Sequence, residues 1–208
     1  NYLIINFFTF SAFFVFLFKK SQIIQNKKYF FIYGWLFGFG YFISSLYWIT
    51  ISLTFDSDFI VLIPLAIIVI PGFLAIFFAL PTFIFSFFLK CNILVLFLIF
   101  SILFGSFEFL RGNILTGFPW NLFVFSFSNE LSFLQSLSIF GTYGLNLFCI
   151  TFFLIPSILV LKKKKFEIIT STILLLAFIL FFSFGKIRLN NKDNYTLLND
   201  NLIIKIIS

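Results

Sequence analysis

A chain of 208 residues that is 62% hydrophobic and only 10% charged lies outside the range of soluble globular domains, as does its mean hydropathy of +1.15. Its net charge of +7 sits in short clusters between apolar runs, which excludes the spread basic surface and readout elements of a nucleic-acid binder. With no His and two Cys, the sequence spells out no metal-ligand cluster and no cofactor motif.

Apolar runs of about 20 residues, at about 1.5 Å per residue, cross the hydrocarbon layer of a membrane. Six of them follow one another. The first covers 1–18 and stops at Lys19 and Lys20. The second, 29–55, carries Gly34, Gly38 and Gly40, a spacing that lets another helix come close. The third, 59–89, is long enough to need tilting or a break, with Pro64, Pro71-Gly72 and Pro81 as the natural places. The fourth covers 93–111, the fifth 131–161 with Gly141 and Gly144, and the sixth 166–185. Residues 186–201 are then polar, and Leu202 to Ile207 reads as a β-strand, which cannot be stable alone. The expected fold class is an all-α polytopic membrane protein of about six transmembrane helices over 1–185. A polar linker and the start of a strand, the beginning of a further domain, occupy 186–208. The 40 Phe, alongside abundant Ile, Lys and Asn, read as a codon-composition bias filling lipid-facing positions, and the lack of any Met reads as a lost start.

The charges orient these helices. Lys19, Lys20, Lys27, Lys28, Lys90 and Lys162 to Lys165 share one side, which the positive-inside rule assigns to the cytoplasm. Asp56, Asp58, Glu108, Glu130, Asp193 and Asp200 share the other, so the chain beyond the sixth helix faces outward. The lysine run at 162–165 can touch anionic lipid heads, but orientation alone accounts for it.

Residues 107–120 concentrate the remaining chemistry. Glu108 and Arg111 stand three apart at the outer end of the fourth helix, a spacing suited to an ion pair. Gly112 and Asn113 suit a helix end, and Gly117-Phe118-Pro119-Trp120 a bend with an interfacial aromatic anchor. The pair either braces a helix end or belongs to a site, and both readings stand.

The string Glu108-Phe-Leu-Arg-Gly-Asn-Ile-Leu-Thr-Gly-Phe-Pro-Trp120 closely resembles the signature of the bacterial apolipoprotein N-acyltransferase family. Two weaker resemblances flank it in the family's order: Gly34-Trp-Leu-Phe-Gly-Phe-Gly40 through Trp48, and Gly141-Thr-Tyr-Gly-Leu-Asn146, which resembles a helix start. The resemblance implies eight membrane helices with a nitrilase-like domain inserted outside the cytoplasm between the last two. Six helices here would then lack one before and one after. It implies an acyltransferase of the bacterial inner membrane acting in lipoprotein biosynthesis, without a cofactor. Its acyl donor is a phospholipid, and the acceptor is the α-amino group of an apolipoprotein's S-diacylglyceryl cysteine. A Cys thioester assisted by Glu and Lys divides the transfer into two steps, and in the family these residues lie in the nitrilase-like domain.

No residue of this chain is therefore assigned as catalytic. Cys91 sits beside Lys90 on the cytoplasmic side, and Cys149 lies inside the fifth helix as a small hydrophobe. For lipid binding the candidates are Trp48, Glu108, Arg111, Trp120 and Tyr143, which map to the outward half and suggest an acyl-chain cleft between helices two, four and five. Arg111 would meet a phosphate as a planar donor held by Glu108. A small transporter, a membrane scaffold or a decayed enzyme half remain alternatives, although 1–90 and 91–185 show no self-similarity of the kind transporters carry.

Overall fold

The computed structural model describes residues 2–114, 117, 119–161 and 165–190. Its elements are α1 (Tyr2–Ser21), α2 (Lys28–Leu46), α3 (Ile49–Ser52), α4 (Ile63–Leu74), α5 (Ile76–Phe85), α6 (Ile93–Asn113), α7 (Leu131–Leu134), α8 (Leu137–Phe153), α9 (Ile155–Leu161) and α10 (Lys165–Asn190). Short 3₁₀ helices cover Ser57–Leu62 and Phe123–Phe127. Six helical stretches are long and apolar enough to cross a membrane: Leu3–Ser21, Lys28–Leu46, Ser57–Phe85, Ile93–Asn113, Leu137–Leu161 and Lys165–Asn190. The strand expected at 202–207 lies outside the described residues, as do Phe118 and the lysines at 162–164.

Local chemistry sets the ends of these helices. Lys19 and Lys20 close the last turn of α1, where cations suit the negative end of the helix dipole. Asn92 caps α6, its side chain accepting from the Val95 amide at 2.9 Å. The second segment stops at Leu46, short of the expected residue 55. Ser44 and Ser45 there both donate to the Tyr41 carbonyl, at 2.9 and 2.8 Å, which competes with the helical ladder. In the third segment Pro64 opens α4, where its missing amide proton costs nothing. The break falls at Ala75, four residues beyond Pro71, while Pro81 sits inside α5 without ending it. In the fifth segment Gly141 adopts φ 66°, ψ 175°, so the helix proper starts after it. The sixth helix runs five residues past its expected end at Gly185. That glycine marks a close approach, since a Cβ there would collide with the Ser132 carbonyl of α7, and Arg188 farther along donates to Ser138.

Helix pairing follows the small residues. Gly34 and Gly38 face α5 so tightly that a Cβ on Gly34 would lie 2.6 Å from the Phe78 carbonyl, and one on Gly38 would lie 2.7 Å from the Phe78 Cβ. Close backbone approach of this kind replaces the hydrophobic driving force that lipid removes. Phe corrects its expected lipid-facing role: 15 of them are buried among the described residues. Phe10 meets Phe104 edge-on at 5.2 Å, Phe78 meets Phe104 at 5.3 Å, and Phe10 packs on Phe123 at 4.7 Å. Rings in such geometry gain beyond their area, so the bundle interior is an aromatic lattice.

Contacts across the bundle separate two ends. Lys27 sits 3.6 Å above the Phe87 ring, which joins the first loop to the end of the third span. Trp48 stacks on Trp120 at 4.9 Å and Asn6 bonds Ser126, joining the opposite ends. The spans therefore alternate in direction, with a lysine end and a tryptophan end.

Candidate functional site

At the tryptophan end the last turn of α6 carries the ion pair that the spacing suggested. Arg111 grips Glu108 as a fork, Nη2 to Oε2 at 2.6 Å and Nε to Oε1 at 3.3 Å. Its other edge donates from Nη1 to the Trp120 carbonyl at 2.9 Å, and its plane lies 5.3 Å from the Phe42 ring centre. The guanidinium thus ties three pieces together: the end of α6, the outer half of α2 and the loop at 120. Both residues are 2% exposed, and the Arg111 side chain has no accessible surface. A phosphate could reach it only by displacing these partners, so the arrangement favours the bracing reading of this pair. Removing one member of such a buried pair strands the other's charge.

The loop that Arg111 holds is shaped for its position. Gly117 has φ +71°, and a Cβ there would lie 2.7 Å from the Gly112 carbonyl. A Cβ on Gly112 would collide with the Tyr143 hydroxyl, and Tyr143 itself meets Phe109 edge-on at 5.0 Å. Pro119 is exposed beside Trp120. Asn121 takes φ 59°, which Asn tolerates better than other side chains. It is held there by Tyr41, whose hydroxyl donates to its carbonyl at 2.7 Å, and by its own Nδ2, which donates to Ser45 Oγ at 3.1 Å. The result presents Trp48 and Trp120 as a parallel pair, 39% and 48% exposed, at one end of the bundle.

The five candidate residues therefore come to one end of the bundle. Trp48, Trp120, Arg111 and Glu108 form one connected chain, and Tyr143 of α8 packs against Phe109 and Gly112 at the same end of α6. Gly144 is close-packed in its own helix, its Cβ position 3.3 Å from Phe140. A groove of about 500 Å³ lies between α1, α2 and residues 121–126, with Tyr143 outside its lining. Cys91 is exposed near the lysine end and Cys149 is buried in α8. No group of three or more His, Cys, Asp or Glu gathers among the described residues.

Asn146, which closes the motif at 141–146, gains a role that its spacing did not announce, and several other site residues stand in no motif. Asn146 is fully buried and its Oδ1 accepts from the Val124 amide at 3.0 Å, fixing the 3₁₀ turn to α8. Tyr41 and Asn6 are polar groups inside apolar runs, and Asn121 and Ser126 stand in the stretch between the fourth and fifth runs. That placement was their one signal.

The first 155 residues match the family model described as the apolipoprotein N-acyltransferase N-terminal domain. Among curated proteins, the apolipoprotein N-acyltransferase of Rickettsia prowazekii is 38% identical over 195 residues, covering 91% of this chain and 37% of that protein. That of Rickettsia bellii is 38% identical over 170 residues, 78% of this chain and 33% of its own length. The Rhodopseudomonas palustris protein is 40% identical over 129 residues, 61% and 24% respectively. The chain thus spans between 24% and 37% of the length of these curated relatives. No solved structure matches it. A match over three quarters of the chain, on a multi-pass helical bundle that keeps the charged pair and its tryptophan loop together, establishes that the chain belongs to the apolipoprotein N-acyltransferase family.

Proposed function

We propose that this chain is the membrane portion of an enzyme that moves an acyl chain from a phospholipid to the N-terminal S-diacylglyceryl cysteine of a lipoprotein. It anchors the enzyme in the bacterial inner membrane and brings the lipid donor to the reaction. The tryptophan end faces the periplasm, and the acyl-transfer chemistry takes place outside these residues. The observation that carries this reading is the Arg111 brace. A buried bidentate ion pair holds the Trp120 loop against α2 at the tryptophan end of the bundle. Such a brace gives rigid support to a surface that must receive lipid while a further domain works above it. Lys cannot reproduce the planar fork, so Arg111 acts here as a positioning residue, not as a phosphate ligand.

The test expresses the longest open frame encoding this chain in cells depleted of their own N-acyltransferase. Restored N-acylation of lipoproteins, read by mass spectrometry, is the expected result, and failure to restore it at normal protein level rejects the assignment. The isolated 208-residue chain should transfer no label from a radioactive phospholipid; turnover would put the nucleophile inside it. Single cysteines near Trp48 and near Lys27 should react with an impermeant reagent from opposite sides of the membrane, the first from the periplasm.

A further inference from the structure

The groove between α1, α2 and residues 121–126 has a chemical asymmetry that the brace does not use. Along α2, Leu36 and Phe37 line its deeper part, and Tyr41, Ser44 and Ser45 line the part nearer Trp48. Ten residues of helix make it about 15 Å long, roughly half of the hydrocarbon layer. Its volume of about 500 Å³ lies within the usual range for small-molecule sites.

The hydrogen bonds at its polar end are incomplete. Asn6 is 8% exposed, and its Nδ2 donates to Ser126 Oγ at 2.7 Å. Neither the Ser126 hydroxyl proton nor Asn6 Oδ1 has a hydrogen-bond partner among the described residues. A donor and an acceptor left over side by side in a groove suit a polar ligand atom that can meet both. No Asp, Glu, Lys or Arg belongs to the lining. A phosphate placed there would lose its hydration with no cation to replace it, whereas a neutral carbonyl would gain the Ser126 proton.

We infer that this groove holds the ester-bearing stretch of a membrane lipid. One acyl chain lies along Leu36 and Phe37, the ester carbonyl accepts from Ser126, and the phosphate stays outside at the Trp48–Trp120 level. This deepens, and rests on, the reading of the chain as the lipid-handling part of an acyltransferase, by naming which part of the donor the membrane helices recognise.

Gly40 supplies the decisive variant. It lines the groove, and a Cβ built on it meets nothing within 4 Å, so a large side chain there fills the space without breaking a helix contact. The experiment uses the 208-residue chain in nanodiscs with two photoactivatable phosphatidylethanolamines. Both carry a diazirine near the glycerol, one with ester-linked and one with ether-linked chains, and labelled residues are mapped by mass spectrometry. Labelling is expected within 36–45 and 121–126, stronger for the ester lipid by about threefold or more, the value of one hydrogen bond. Ser126→Ala should erase the ester preference, and Gly40→Phe should remove labelling by both lipids while the tryptophan-fluorescence melt is unchanged. Equal labelling by the two lipids, labelling elsewhere, or labelling that survives in a folded Gly40→Phe protein overturns the inference. Should Gly40→Phe fail to fold, the ester–ether comparison with Ser126→Ala decides it alone. Because the readout needs no turnover, its failure leaves the acyltransferase reading standing.

Discussion

The two faces of α2 carry the same residue to opposite ends. Toward α5, Gly34 and Gly38 remove every atom that would keep two backbones apart, and Phe78 fills the place of the missing side chains. Toward α1, Gly40 has nothing opposite it, and the absent side chain leaves a groove. Glycine spacing in a membrane helix therefore signals missing bulk. Whether a partner backbone or a ligand takes up that space depends on the neighbouring helices. The first face is closed; the second is open, and hydroxyl and amide groups line its rim.

The largest effect should come from the brace that pins α2's outer end to the loop bounding the groove. Arg111→Ala leaves Glu108 buried without its partner, and a loss of about 3–5 kcal/mol is expected. Thermal unfolding in detergent would show it, and a melt within a degree of the unsubstituted protein would mean that water reaches this pair. Next comes the closed face. Gly34→Val drives a methyl group into the Phe78 carbonyl, and overpacking of about 1–3 kcal/mol should follow, visible as a lower melt and weaker protection of α5 in hydrogen exchange. Asn92→Ala removes the α6 cap at a cost of about 1 kcal/mol. It calibrates how much any helix end matters in this bundle. Gly40→Ala should be smallest and of opposite sign, a gain of about 0.5–1 kcal/mol from reduced backbone freedom. A destabilised Gly40→Ala protein would show that the open face is closed by something in solution, and would end the contrast.

Much of this was legible in the sequence because it is local. The six spans follow from runs of apolar residues, the Gly34/Gly38 seam from spacing on one helix, and the Glu108–Arg111 pair from three residues of separation. The groove was not legible. Its polar rim gathers Asn6, Tyr41, Asn121 and Ser126 from three distant stretches, and a lone Asn or Ser inside an apolar run carries no address. The charged pair's spacing could not say which way its guanidinium would turn. The Trp120 carbonyl and the Phe42 ring decide that, and neither is visible in a pattern of side-chain types. The Phe excess misled for the same reason: composition reports how many rings exist, whereas only packing tells inner from outer.

The bond between Asn6 and Ser126 spans 120 positions, and that from Ser11 to the Phe153 carbonyl spans 142. Ribosomes add about 5–20 residues each second, so the first helix waits on the order of ten seconds for those mates. During that interval its amide and hydroxyl must be sheltered by the insertion machinery or by transient self-bonding. Biogenesis of this bundle is thus expected to be more sensitive to insertase supply than to the final strength of its interior.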